Sequence, residues 1–292
     1  MPEIEEVRDN KLVIATGMQG IGKSFLTFTD ELLRRAFGNV QHKRKSLIFE
    51  TNPGEYSEVV VGTTKHRIQT LDHNQIINYS NFKGADIRRI CPVRPDGSHM
   101  NRDELKILAI KVMSEYFGGT FLLEDFNKAF RTLPDDLIAY LINLRHRMVD
   151  TIAHLQSCGK LSPSLLENSQ QIRYHYQLDS VAKSASKLEG EEEIFYLAEA
   201  LVKTLRQRGV TYEAYCYIDR VKKKITGKFS KKDFTVSIQS YLLSNPKEVK
   251  NITLQTDFSG KKMYSYPEAV NLKTIELFKS YYGNSDYINI AG

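Results

Sequence analysis

The sequence is poor in several features that would each have set its class. Three cysteines, Cys91, Cys158 and Cys216, are an odd number and form no CxxC pair. They exclude a disulfide framework and a cysteine-based zinc site, and they suit a reducing compartment. No run of about 18 apolar residues occurs, so no membrane-spanning helix is expected. The N-terminus carries no apolar stretch of signal-peptide type, which points to the cytoplasm. No internal repeat is found. No His-x₃-His or His/carboxylate spacing supports a metal site, with His154 and His175 each placed in a strand. No G-x-S-x-G or Cys–His arrangement stands out. What is present is an ordinary globular composition: 292 residues, 41% hydrophobic and 26% charged.

The first informative stretch is Leu12 to Phe25, LVIATGMQGIGKSF. Leu12 to Ala15 is a short apolar run with β-branched residues and suits a buried strand. Gly17, Gly22, Lys23 and Ser24 occupy every fixed position of G-x-x-x-x-G-K-[ST]. A polyphosphate needs backbone N–H groups turned into a concavity, and glycine lets the chain curl that tightly. The expected nucleotide contacts are Gly17, Gln19, Gly20, Ile21, Gly22, Lys23, Ser24 and Phe25. Lys23 would reach the β/γ-phosphates, and Ser24 would offer its hydroxyl to Mg²⁺. Lys23 to Phe37 has helical spacing, with Phe25, Phe28, Leu32, Leu33 and Phe37 as the buried face and Gly38 as the stop. The helix N-terminus then faces the phosphates.

Further strands are expected at Ser46–Phe49, His66–Leu71, Thr120–Leu123, Asp150–Leu155 and Gln170–Leu178. Helices are expected at Asn101–Phe117, Leu133–Arg147 and Ser162–Ser169. The alternation implies an α/β fold with a mainly parallel sheet and helices on both faces. It defines a core at 1–180. Ala182–Glu193 is polar and is expected to be an exposed connection. A smaller α+β region at 181–292 follows, with helices at Glu191–Arg208, Thr235–Leu243 and Tyr266–Tyr282, a strand at Tyr212–Tyr217 and a basic loop at Lys222–Lys232.

A hydrolytic site needs an acidic residue near Mg²⁺ and a group that orients water, held where strands end. Glu124 and Asp125 follow the buried strand at Thr120–Leu123. Glu124 is placed nearer the metal and Asp125 nearer the attacking water. Gln156 follows the next apolar strand and could bond the γ-phosphate or the water, being both donor and acceptor. Arg145, His146 and Arg147 close a helix, where cations are favourable; Arg145 could instead serve as an arginine finger toward a neighbouring subunit. Charge is uneven. Arg220 to Lys262 holds eleven Lys or Arg against three Asp or Glu, while the whole chain carries +6, so the remainder is slightly acidic. A basic appendage suggests an anionic partner, nucleic acid first, or else a solvated surface.

Three stretches, FLLEDFNKAF (Phe121 to Phe130), LRHRMVDTIAHLQ (Leu144 to Gln156) and LSPSLLENSQQIRYHY (Leu161 to Tyr176), together resemble the zonula occludens toxin-like family of phage ATPases. The loop FETNPGEY, Phe49 to Tyr56, resembles the family's loop after its second strand. The resemblance covers roughly Lys11 to Tyr176. It implies a P-loop ATPase of the additional-strand type, near the FtsK/HerA-like motors, in which Lys23, Ser24, the acidic pair and Gln156 act on ATP and Mg²⁺. It also implies a phage gene acting in virion assembly or genome handling, in the host cytoplasm or on the virion. Two departures stand out. The family's Asp-Glu is reversed here to Glu124-Asp125, and the transmembrane segment of the filamentous-phage members has no counterpart. The resemblance thus suggests a homo-oligomeric motor, or an ATPase docked on a capsid, portal or membrane protein. An ATP-binding switch with little turnover is the alternative, and a small-molecule kinase is a weaker third.

Overall fold

The computed structural model describes residues 11–38, 43–125, 130, 133–188 and 190–284. They fall into two compact units. One comprises residues up to Ala15, Gly22–Gln156 and Lys160–Gln170; the other comprises Thr16–Ile21, Ser157–Gly159 and Gln171 onward.

The first unit is built on β1 (Leu12–Thr16), β2 (Ser46–Phe49), β5 (Gln69–Thr70), β6 (Ile87–Ile90), β7 (Gly119–Leu123) and β8 (Val149–Leu155), with β3 (Glu58–Val61) and β4 (Thr64–Arg67) forming a separate antiparallel hairpin. The sheet order here is β1-β8-β7-β2-β6-β5. β7 pairs in parallel with β8, with Gly119 opposite Val149, and with β2, where Thr120 lies opposite Ser46. β2–β6 and β6–β5 are parallel as well. Every residue of β1, β2, β7 and β8 is buried. Continuous burial without in/out alternation is what a parallel strand covered on both faces requires. The result is the expected α/β architecture.

The helix after the glycine-rich loop runs as α1 (Lys23–Leu26), a π-helical stretch (Thr27–Leu33) and α2 (Arg34–Phe37). Phe28, Leu32 and Ala36 are fully buried and pack with Val13, Ile48, Ile87, Leu122 and Ile152 of the strands. Phe25 and Phe37, expected on that face, are instead 46% and 54% exposed. The π-helical turn advances less per residue than an α-turn, so a strict four-residue spacing stays on the core while the outlying phenylalanines rotate off it. Gly38 does end the helix, but in an extended conformation. A Cβ there would meet the Arg34 carbonyl oxygen at 2.5 Å, so it is space rather than a left-handed turn that requires glycine. Arg35 anchors the helix to the start of β8 through Asp150, whose carboxylate also accepts from the Lys11 amide.

α3 (Ile76–Asn81), α4 (Arg102–Glu115), α5 (Asp135–Asn143) and α6 (Pro163–Asn168) complete this unit. α4 starts at a capping box in which Asn101 accepts from the Glu104 amide and Glu104 accepts from the Asn101 amide. Its expected apolar face, from Leu105 to Tyr116, is buried throughout.

The second unit holds an antiparallel set, β9 (Gln171–His175), β10 (Tyr215–Asp219) and β11 (Lys224–Thr226). Its helices are α7 (Glu192–Gln207), α8 (Lys231–Ser244), α9 (Lys250–Thr253) and α10 (Tyr266–Tyr281). Phe229, Phe234, Phe278 and Tyr282 form an aromatic cluster, with Phe278 stacked on Tyr282 at 4.6 Å. Two expectations change. The basic loop at Lys222–Lys232 contains β11 and the first residues of α8. Ala182–Glu193 is not simply an exposed connection. A 3₁₀ segment at Val181–Lys187 buries Val181 and Ser184, and Leu188 is buried after it. Its polar composition hides a buried residue every three or four positions, enough to anchor a short helix.

Truncating Leu32 to Ala should lower unfolding stability by about 2–5 kcal/mol, because a fully buried leucine leaves a cavity. Phe37→Ala should change it by less than about 0.5 kcal/mol. Urea titrations of the two variants test this, and equal losses would contradict the assigned helix phase.

Candidate nucleotide-binding site

The loop after β1 gets its shape from three glycines. Gly17 has φ +150°, Gly20 φ +79° and Gly22 φ +86°. The last two lie in the left-handed region, where a side chain is strained. Gly17 is also constrained by space: a Cβ would lie 2.6 Å from the His175 Cβ and 2.6 Å from the Ile21 Cδ1. The Met18 amide donates to the Tyr176 carbonyl at 3.0 Å. Gln19 and Gly20 are exposed and Ile21 is buried. Gly22 is the residue before α1, so Lys23 and Ser24 open the helix, and Lys23 is buried.

Ser24 Oγ donates to Glu124 Oε1 at 2.7 Å. Glu124 is the residue after β7, and its amide donates to the Phe49 carbonyl at 3.1 Å, which locks it to the end of β2. Its second oxygen, Oε2, accepts from the Tyr56 hydroxyl at 2.7 Å and lies 2.8 Å from His154 Nδ1. The other ring nitrogen of His154 lies 2.7 Å from Thr27 Oγ1. Ser24 and Thr27 are three residues apart on one helix, and Glu124 and His154 stand on adjacent strand ends. The four side chains therefore close a ring, Ser24–Glu124–His154–Thr27, with Tyr56 entering from the loop after β2.

Glu124 is almost completely buried. Burial alone would push its carboxyl up. The neighbouring His154 charge, and hydrogen bonds from His154, Ser24 and Tyr56, outweigh that and hold it at about 2. The Tyr56 phenol is pushed well up by burial and then by the Glu124 charge, so it stays a neutral donor. Tyr56 is delivered to this position by Glu50, fully buried at the end of β2. Glu50 accepts from the Tyr56 amide at 2.7 Å, the Gly54 amide at 3.2 Å and Arg89 Nη1 at 2.8 Å.

The remaining expected residues are distributed as follows. Asp125 is buried and has φ +27°, an unusual backbone for a non-glycine residue and a local strain. Gln156 follows the last residue of β8, half-buried. Arg145 is exposed in the 3₁₀ turn Leu144–Arg147 that precedes β8. It therefore stands at the opposite end of that strand from Gln156 and is not gathered with Ser24 and Glu124. Phe25 is exposed and adds nothing to the buried lining of the loop. Residues 126–129 of the motif that runs from Phe121 to Phe130 lie outside the described residues.

Sequence reasoning missed Tyr56, Glu50, His154 and Thr27. Glu50 did carry a signal, since it follows a buried strand just as Glu124 does. His154 carried another: it is a titratable group near the end of a seven-residue strand whose neighbouring positions are mostly apolar.

Ser24 and Glu124 supply two oxygen donors at the helix start. That donor set suits Mg²⁺, which takes one or two protein oxygens and completes its shell with water and phosphate. Among the described residues no group of three or more His, Cys, Asp or Glu could hold a metal by itself. No helix among them is long and apolar enough to cross a membrane. In the basic segment, Arg220 pairs with Glu191, Lys228 with Glu213, and Lys224 donates to the carbonyls of Lys279 and Ser280. Lys222, Lys223, Lys231, Lys232, Lys247, Lys250, Lys261 and Lys262 are exposed and form no ion pair among the described residues.

No family model matches the chain, and no curated relative matches it. Similar folds do occur among solved structures. The genome packaging NTPase B204 from Sulfolobus turreted icosahedral virus 2 in complex with AMP is 13% identical, over 75% of this chain and 97% of that one, with a TM-score of 0.49. The N-terminal domain of zonular occludens toxin from Neisseria meningitidis is 12% identical, over 57% and 77%, with a TM-score of 0.33. The ATPases 2 and 3 of EssC from Geobacillus thermodenitrificans are 15% identical, over 61% and 34%, with a TM-score of 0.34.

Because Glu124 is held down from 4.5 to about 2, its contribution to stability is complete above the higher value and disappears as pH falls toward the lower. Wild type should therefore lose on the order of 3 kcal/mol from this group between pH 5 and pH 2. Glu124→Gln should show a shallower acid limb in urea midpoints measured across that range. Parallel limbs would refute the assignment.

Proposed function

We propose that the protein is a Mg²⁺-dependent ATPase that binds and hydrolyses ATP and acts in phage virion assembly or DNA packaging. The single observation that carries this reading is the direct contact of Ser24 with Glu124. It places the hydroxyl that opens the helix against a buried, ionised carboxylate at a neighbouring strand end, immediately after a glycine loop of phosphate-binding sequence. That is the pairing phosphoryl-transfer sites of this class require.

The residue roles follow from position. The backbone from Gly17 to Phe25 would cradle the phosphates, and Lys23 would neutralise the β/γ charge. Ser24 and Glu124 would hold Mg²⁺, which when bound draws charge off the γ-phosphate. His154 and Tyr56 fix the orientation of the Glu124 carboxylate. Asp125 would orient the attacking water, with Gln156 beside the γ-phosphate. Arg145 would act on the nucleotide of an adjacent subunit of a homo-oligomer, a role that suits its exposure. The packaging role is supported by the sequence resemblance and by eight exposed lysines that form no ion pair among the described residues, in a segment suited to nucleic-acid phosphates. A capsid, portal or membrane-protein partner and a host-cytoplasmic or virion location belong to the same proposal.

A switch with little turnover has its own support. Glu124 is already engaged by three donors, and Asp125 sits on a strained backbone that a productive base would have to hold. Phosphate release from ATP separates the two readings. Lys23→Ala should reduce release on the order of 10²-fold or more, and duplex DNA should stimulate the wild type. ATP-dependent oligomerisation with no release from the wild type would favour the switch. DNA affinity should fall steeply with salt, and a flat salt response would remove the nucleic-acid half.

A further inference from the structure

The segment after α9 forms a short, tightly bonded hairpin. Thr256 bridges Lys262 in antiparallel register, and the Met263 amide donates to the Gln255 carbonyl at 2.9 Å. The turn is held from inside by Asp257. Its carboxylate accepts from the Ser259 amide at 2.8 Å, the Ser259 hydroxyl at 2.6 Å and the Lys261 amide at 3.0 Å. Its amide donates to the Lys261 carbonyl, and the Gly260 amide returns to the Asp257 carbonyl. Gly260, at φ +81°, supplies the left-handed residue that closes such a turn. The one acidic side chain of the hairpin is thus consumed in building it.

At the tip stands Phe258, the most exposed large apolar residue of the protein among the described residues. Leu254 and Met263 at the base are also more than half exposed. Every residue from 254 to 263 is solvent-facing, and the half-buried Tyr264 follows. Lys261 and Lys262 lie beside the ring in sequence, with no ion pair among the described residues. A bare phenyl ring in water carries a hydrophobic cost that folding does not relieve. Its presentation on a rigid, internally bonded turn lowers the entropy lost when something covers it.

We propose that this hairpin is a contact element for single-stranded nucleic acid, with Phe258 stacking on an unpaired base and Lys261 and Lys262 meeting the flanking phosphates. The inference rests on, and narrows, the nucleic-acid half of the proposed function. Charge complementarity selects a polyanion over a neutral apolar pocket. The flat ring selects an open base face over a duplex, whose base faces are covered by stacking unless the helix is wedged apart. No base-specific donor lies on the turn tip, so the contact is indifferent to sequence.

The test measures binding of the full chain to a fluorescein-labelled oligothymidylate and to a blunt duplex, by anisotropy across a salt series. Phe258→Ala should weaken the single strand about tenfold and the duplex little, and Phe258→Trp should restore the single-strand affinity. Replacing Lys261 and Lys262 together by Ala should flatten the single-strand salt slope by roughly 1.4, at about 0.7 for each phosphate left without its lysine. Unchanged urea midpoints would show the variants folded. If both nucleic acids bind wild type with steep salt dependence but Phe258→Ala binds the single strand as well as wild type, the hairpin inference fails and the broader reading survives. If neither nucleic acid binds even at low salt, both fail. Loss of binding to phosphatidylserine vesicles in Phe258→Ala, with oligothymidylate affinity unchanged, would reassign the hairpin to a membrane surface.

Discussion

A buried carboxylate is unfavourable unless its charge is met on the spot, and the first unit is organised around meeting that of Glu124. Removing one ionised carboxyl from water costs several kcal/mol even after relaxation. Here Ser24, Tyr56 and His154 converge on its two oxygens from three different elements. Each donor is therefore also a positional constraint. Ser24 fixes the start of the helix against β7, His154 fixes β8, and Tyr56 fixes the loop after β2. Glu50 repeats the device one strand away, where a second buried carboxylate is satisfied by two amides and Arg89. The strand ends of this unit are thus held by charge and hydrogen bonding, while the strand bodies are held by apolar packing.

This division explains what the sequence reveals and what it withholds. Runs such as Leu12–Thr16 and Gly119–Leu123 are legible because a parallel strand buried on both faces must be continuously apolar. The loop from Gly17 to Ser24 is legible because few sequences satisfy its backbone demands. The acidic residue after a buried strand is legible at Glu124 by analogy of position. The contacts of Tyr56 and His154 with Glu124 are not, since they arise through tertiary pairing of β2, β7 and β8, and no local spacing encodes that pairing. The phase of the first helix is hidden for a related reason. Its apolar residues read at α-helical pitch, and the π-helical stretch that moves Phe25 and Phe37 outward leaves no mark in composition. Short elements such as β5, β6 and the hairpin of β3 and β4 are lost or blurred because half-buried strands of two to four residues carry little periodic signal.

The second unit follows a different rule. Its core is aromatic and aliphatic, around Phe229, Phe234, Phe278 and Tyr282. In its basic segment, Lys228 pairs with Glu213, and Lys224 donates to the carbonyls of Lys279 and Ser280 at the end of α10. The other lysines of that segment are left outward. The cationic excess seen in the sequence is therefore not neutralised by folding. It is a property of the folded surface, and its field is available at any distance within a Debye length.

The π-helical stretch from Thr27 to Leu33 lies between the two fixed ends of one helix. Ser24 and Thr27 are tied to the strand ends by Glu124 and His154, and Arg35 is tied to Asp150 at the far end of β8. A π-turn accommodates one residue more than an α-turn over the same rise. Relaxing the stretch to ordinary α pitch with its residue count unchanged would swing one end against the other by roughly 100°. Either the phosphate-side hydroxyls or the basic anchor would then face away from its partner. The segment works as a vernier between two clamps. Its side chains can drift so long as they fit, but its residue count is part of the design of the site.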